Sequence, residues 1–164
     1  MKIGPDLTSA GVPEPAPDDH IRGEGREVIV YMDLACPHCA ADWARLGDSG
    51  ARLIFRHFPV ASKHPRAPAL HAATEAAALQ GGEPAFWAFV DSIYGDQGRV
   101  DDPHMWERAR SLGLDLERFD ADRRSPAVAE RVRRDFQSGI RAGVAGTPAA
   151  FVDGGLIRDV GERL

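Results

Sequence analysis

The chain is short of cysteine, holding only Cys36 and Cys39 among its 164 residues. A disulfide-stapled fold is thereby excluded. A zinc site would need two ligands beyond this pair. No second cysteine pair exists, and His20, His57, His64, His71 and His104 are scattered without an H-x(3–5)-H pairing, so no metal is expected. Long hydrophobic runs are missing too: nothing approaches the roughly 20 apolar residues of a membrane span. Lys2 is followed by Gly4-Pro5-Asp6 rather than the apolar stretch of a signal peptide. Nor is there an excess of positive charge. A net charge of −5 argues against nucleic acid or an anionic membrane as a general partner. Arg123, Arg124, Arg131, Arg133 and Arg134 are interleaved with Asp120, Asp122, Glu130 and Asp135 and read as a solvated face of mixed ion pairs. What remains is one α/β-sized domain with an ordinary apolar fraction, expected to be cytoplasmic, where two cysteines this close are more often catalytic than structural.

The positive features centre on Cys36-Pro37-His38-Cys39. Val28-Ile29-Val30-Tyr31-Met32 reads as a buried strand before them, and Ala40 to Leu46 as a helix after them, stopped by Gly47. A helix N-terminus offers unpaired N–H groups and a favourable dipole to a thiolate. Cys36 is therefore expected to be the exposed, low-pKa thiol and Cys39 the shielded one, placed to resolve a mixed disulfide. Pro37 suits the first helical turn, and a cationic His38 would stabilise the thiolate further. A disulfide closing so short a loop would add little stability, which favours redox use. Asp33, three residues before Cys36, is either a proton acceptor for the dithiol or a cap of the turn.

Around that centre, residues 1–26 are rich in Pro and Gly and read as a flexible arm, a linker or a strap over the surface of a domain at 27–164. Arg52 to Phe58 is a second strand ended by Pro59, so strand, helix and strand form a β-α-β unit with parallel strands. Helices follow. The first runs from Pro68 to Gln80, and the second opens at Pro84 with Phe86, Phe89, Val90 and Ile93 on one face. A third starts after Asp101-Asp102 with Met105, Trp106, Ala109 and Leu112 inward. A short one lies at 114–122. The last, after Ser125-Pro126, puts Val128, Val132, Phe136 and Ile140 on one drifting face. Gly146-Thr147-Pro148 then opens a hairpin that turns at Asp153-Gly154. If the Thr147–Pro148 bond is cis, Thr147 turns its backbone outward, where it can pair with an extended peptide.

Taken together, the strand–helix Cys36-Pro37-His38-Cys39 motif, the helical insertion and Gly146-Thr147-Pro148 before a hairpin resemble a DsbA-like member of the thioredoxin superfamily. Asp33 matches the D-x-x-C-P-x-C form. Arg56-His57-Phe58-Pro59 and Asp18-Asp19-His20-Ile21-Arg22-Gly23 resemble further family segments, over roughly residues 18–158. The nearest likeness is to thioredoxin-like domains appended to bacterial sodium/proton antiporters. The resemblance implies a thioredoxin-like fold with a helical insertion at about 66–124 and exchange of disulfides with protein or peptide thiols. It makes Cys36 the nucleophile, Cys39 the resolving thiol and Thr147-Pro148 the substrate groove, with Pro148 a cis-proline set against the two cysteines. The redox-active Cys36–Cys39 disulfide would serve in place of a cofactor, recycled by a redox partner. The usual C-terminal helix is expected to be lacking, leaving sheet surface to be covered by the arm or by a second copy, a homodimer. Two other readings stay open: a non-redox regulatory module on a transporter, and a glutathione-dependent isomerase or transferase of the same superfamily.

Overall fold

β-Branched and aromatic residues alternate in β2 (Glu27–Met32) and β3 (Arg52–His57), and both strands are buried after their first residue. They pair in parallel, Val28 opposite Leu53 and Val30 opposite Phe55, across the helix α1 (Pro37–Asp48). The computed structural model describes residues 11–164. Its sheet has the order β1-β3-β2-β4-β5, so β2, which leads to the cysteines, is central. β4 (Ala149–Val152) lies antiparallel beside it and returns as β5 (Gly155–Ile157). The turn between them is Asp153-Gly154, both with positive φ (49° and 79°), the backbone a tight hairpin demands.

Of the expected arm over residues 1–26, the first ten lie outside the described residues. His20–Arg22 is an edge strand, β1, antiparallel to β3. Just before it, Glu14 O accepts from Arg56 Nη2.

Period-two alternation gives the sheet two apolar faces. Val28, Val30, Met32, Leu53 and Phe55 meet α1 and α2 (Ala67–Gly95) on one side. Ile29, Tyr31 and Ile54 meet Phe58 and Phe136 on the other. The second group packs against α5 (Pro126–Arg141), which supplies Phe136. α2 breaks at Gly82, whose φ of 66° only glycine adopts cheaply, and this separates the two helices read from the sequence. α3 (Asp102–Ser111) and α4 (Leu116–Arg123) complete the insertion, and the four-residue α6 (Val160–Arg163) ends the chain against α1. Among the described residues no helix is long and apolar enough to cross a membrane.

Two inward assignments are corrected. Leu112, at the C-cap of α3, is 37% exposed, and Ile140 is 53% exposed. Steps of four residues over-rotate an α-helix, so the buried row of α5 is Val128, Val132, Asp135 and Gly139. Gly139 takes the place expected of Ile140, because a Cβ there would stand 2.8 Å from Phe58 and 2.9 Å from Tyr31. The arginine-rich segment does form mixed ion pairs, but Arg123 and Arg131 are largely buried.

Candidate active site

β2 ends at Met32, and the chain turns through residues 33–36 into α1. Cys36 is the N-cap (φ −81°, ψ 123°), and Pro37 stands at the first helical position. Cys36 N donates to Asp33 O at 3.1 Å, and the helix starts with Ala40 N donating to Cys36 O at 3.2 Å. The free N–H groups of the first turn thus collect around the Cys36 sulfur.

Both cysteines are free thiols. Their proton affinities are driven apart. The hydrogen bond from the Cys39 thiol is the largest influence on Cys36. Burial opposes it, while the N–H groups of Cys39 and His38 and the Thr147 side chain assist, and the pKa falls from 9.0 to about 5. Cys39 moves the other way, held well above 9.0 by burial and by the neighbouring Cys36. The expected exposure of Cys36 needs correction. It is only 5% exposed, against 0% for Cys39, because the loop carrying Thr147 lies over it.

Thr147 and Pro148 are brought to the cysteines from the far end of the chain. Their peptide bond is cis, and the Cys36 thiol donates to Thr147 O at 3.8 Å. Pro148 is buried and Thr147 half-buried. Beside them opens a polar pocket of about 280 Å³, lined among others by His38, Asp42, Arg45, Thr147 and Pro148. Pro37 and His38 are exposed. The backbone N–H of His38, rather than its ring, lies on the Cys36 sulfur.

Asp33 is wholly buried. Its Oδ1 accepts from Ala35 N and its Oδ2 from Val60 N, each at 2.9 Å, so it caps the turn and ties it to the segment after β3. Two residues with no expected role at the site complete this shell. Gln97 Nε2 donates to Leu34 O (2.8 Å) and Cys36 O (3.1 Å), and Tyr94 Oη donates to Asp33 O (3.0 Å). Tyr94 directly follows Ile93 of the apolar face of the helix that opens at Pro84. The only hint was that a buried tyrosine hydroxyl needs a partner.

The histidines, scattered in sequence, converge in the fold. His20 in β1, His57 at the end of β3 and Glu75 in α2 bring ligand-type atoms within 4.8 Å of one another, and His71 adjoins them. Their nitrogens are already committed. Leu34 N donates to His71 Nε2 at 3.0 Å, which leaves the proton of neutral His71 on Nδ1. That proton points to His57 Nδ1 at 2.7 Å, so His57 carries its own on Nε2 and gives it to Glu75 Oε1 at 2.6 Å. A protonated Nε2 is not a metal ligand, and the trio reads as a hydrogen-bonded network. The one spacing signal was His71 and Glu75, four apart on a helix.

Comparison with known proteins follows the same line. The DSBA-like thioredoxin domain family matches residues 54–161. The chain is 41% identical over 150 residues, 85% of its own length, to the Na(+)/H(+) antiporter NhaA of Herminiimonas arsenicoxydans, of which it spans 23%. Among solved structures, it resembles a thioredoxin-like oxidoreductase from Silicibacter pomeroyi DSS-3 (TM-score 0.72, 27% identity, 87% of this chain and 84% of that one). It also resembles the thiol-disulfide exchange protein alpha-DsbA2 from Wolbachia pipientis (TM-score 0.74, 19% identity, 88% and 81%).

Proposed function

The chain belongs to the DSBA-like thioredoxin domain family, and we propose that it is a thiol:disulfide oxidoreductase working through Cys36 and Cys39 on protein or peptide thiols. The observation that carries this reading is the placement of the two thiols, Cys36 at the N-cap of α1 and Cys39 one turn on, beneath the loop with the cis Thr147–Pro148 bond; their proton affinities are displaced in opposite directions, Cys36 down and Cys39 up. A substrate thiolate attacks the Cys36 sulfur of the Cys36–Cys39 disulfide. A substrate–Cys36 bond forms, and Cys39 leaves as a thiolate and takes a proton. A second substrate thiolate then attacks the substrate sulfur and releases Cys36. Two electrons pass from substrate to protein, and the substrate gains its disulfide. A thiol that ionises easily is a good leaving group, so the geometry favours oxidation of the substrate. In the reverse half, Cys39 must lose its proton, and the proposed acceptor is Asp33, whose backbone lies against the Cys39 sulfur and whose side chain is wholly buried. Thr147 and Pro148 border the cleft in which a substrate chain would lie, next to the polar pocket.

The test is turnover of a reduced, unfolded disulfide protein into its oxidised form, with trapping by Cys39→Ala. Cys36→Ala should be inactive, and Cys39→Ala should accumulate a mixed disulfide at Cys36. Absence of both results overturns the reading. A second reading, a regulatory module on a transporter, is favoured by one observation. The chain is similar to antiporters, among them one of which it spans 23%. Joined to its transporter, such a module would alter transport equally well with Cys36→Ala, which separates the two.

A further inference from the structure

A second pocket takes no residue from the dithiol site. β2 and β3 run in parallel, so the chain after β3 emerges at the same end of the sheet as the turn that carries Cys36. That chain, residues 59–62, faces the start of α2 and the N-terminal part of α5, and a pocket of about 550 Å³ lies between them. Its wall is mostly apolar. Val60 comes from the loop, Pro68 and Ala72 from α2, and Val132 and Phe136 from α5. The core behind holds this wall in place, since Phe136 stacks on Phe58 with ring centroids 4.5 Å apart and Val132 is buried.

The charge on this pocket has one sign. Three charged residues line it, and all are arginines: Arg123, Arg124 and Arg133. The side chain of Arg123 is 7% exposed and bonded to Asp120 through Nε at 2.7 Å and to Asp102 through Nη1 at 3.2 Å. Its Nη2 is buried and has no hydrogen-bond partner among the described residues, so this arginine carries a donor without an acceptor. Arg124 is exposed. Asp120, the carboxylate that feels its charge, is already engaged by Arg123 Nε and Trp106 Nε1. Arg133 pairs with Glu130 at 3.1 Å, but both side chains are more than half exposed, and such a surface pair contributes little and yields readily. Ser125, the N-cap of α5, also lines the pocket, so the positive end of a 16-residue helix adds to the arginines.

We propose that this pocket binds an amphipathic anion, a small molecule with a hydrocarbon body and a carboxylate or sulfonate head. The body packs against Val60, Val132 and Phe136, and the head pairs with Arg124 and Arg133. The volume falls within the roughly 300–1,000 Å³ of small-molecule sites, which combine apolar walls with a few placed polar groups. An extended peptide is a poorer match, because no strand residue lines the pocket and there is no backbone edge for a peptide to pair with. A bare inorganic anion would leave the apolar wall in water, and a neutral hydrocarbon would leave the guanidinium groups without an acceptor. Only an occupant with both halves satisfies both. Nothing in this binding involves Cys36 or Cys39.

The experiment titrates decanoate into the whole protein by isothermal calorimetry at neutral pH, below the concentration at which the probe forms micelles. Saturable binding to a single site is expected. Decanol, the same chain without the charge, should bind about tenfold more weakly or worse, and inorganic phosphate should not compete. Arg124→Glu and Arg133→Glu, at exposed positions, should each weaken decanoate by about tenfold or more and leave decanol unchanged. Ala129→Trp, which sets a ring into the pocket from an exposed position on α5, should abolish binding of both probes. Urea midpoints close to the native one show that each variant is folded. Three results overturn the proposal: no saturable decanoate binding, equal affinity for decanoate and decanol or for phosphate, and an affinity unchanged in Arg124→Glu and Ala129→Trp.

Discussion

Replacing Cys39 by alanine isolates what holds Cys36 ionised. The Cys39 thiol is the largest of the groups that lower the Cys36 pKa. A hydrogen bond to a charged group contributes roughly 1.5–3 kcal/mol, which at about 1.4 kcal/mol per unit is about one to two pKa units. Cys39→Ala should therefore move Cys36 from about 5 to between about 6 and 7. Cys39→Ser, which keeps a donor, should stay closer to the native value. Both variants have a single cysteine, so thiolate absorbance against pH reads Cys36 alone. The same shift has a stability signature. The folded pKa lies below the 9.0 of the unfolded thiol, so the stabilisation is complete above pH 9.0 and is lost as pH falls through about 5. Between pH 5 and 7 the reduced wild type should gain about 2.3 kcal/mol from this group, about 1.7 units at about 1.36 each because the thiol is already half ionised at pH 5, beyond what Cys36→Ser gains. Equal pKa values in the alanine, serine and native proteins would refute the assignment and leave the backbone N–H groups as the cause.

Three further outcomes follow from the packing. His38→Ala should change the Cys36 pKa, read from alkylation rates against pH, by less than about half a unit, because the N–H that touches the sulfur is retained. Gly139→Ala should lower stability by about 1–3 kcal/mol in urea unfolding, since its Cβ would press on Phe58 and Tyr31. Arg56→Met should cost about 3–5 kcal/mol by the same assay, because it strands the buried Asp19 carboxylate that Arg56 grips at 2.9 and 3.1 Å.

The fold was largely legible because its signals are local. Alternating β-branched runs marked β2 and β3, Asp153-Gly154 marked the hairpin, and prolines at 84, 103 and 126 marked helix starts. What escaped was what depends on a neighbour across space. β1 has three residues and no period of its own, and it exists because the edge of β3 accepts it. Ile140 was placed inward by counting fours along α5. Gly139 is inward instead because Tyr31 and Phe58 leave no room for a side chain.

The site divides along the same line, and the division has a physical reason. Cys36 and Cys39 sit one helical turn apart, so spacing alone shows that they meet. Asp33, His71, His57, Glu75 and His20 are assembled by a strand end, a helix face and an edge strand, and no sequence interval records that. Yet two segments that merely looked familiar, Asp18 to Gly23 and Arg56 to Pro59, prove to be partners. Arg56 grips Asp19, and His57 and His20 share one oxygen of Glu75. β1 therefore does more than widen the sheet. Its pairing with β3 sets His20 opposite Phe55, two residues from His57, and stacks its ring on Phe86 with centroids 3.5 Å apart. A strand too short to hold itself is fixed by the charges it carries, and in turn it covers the end of a buried polar network that begins at Leu34.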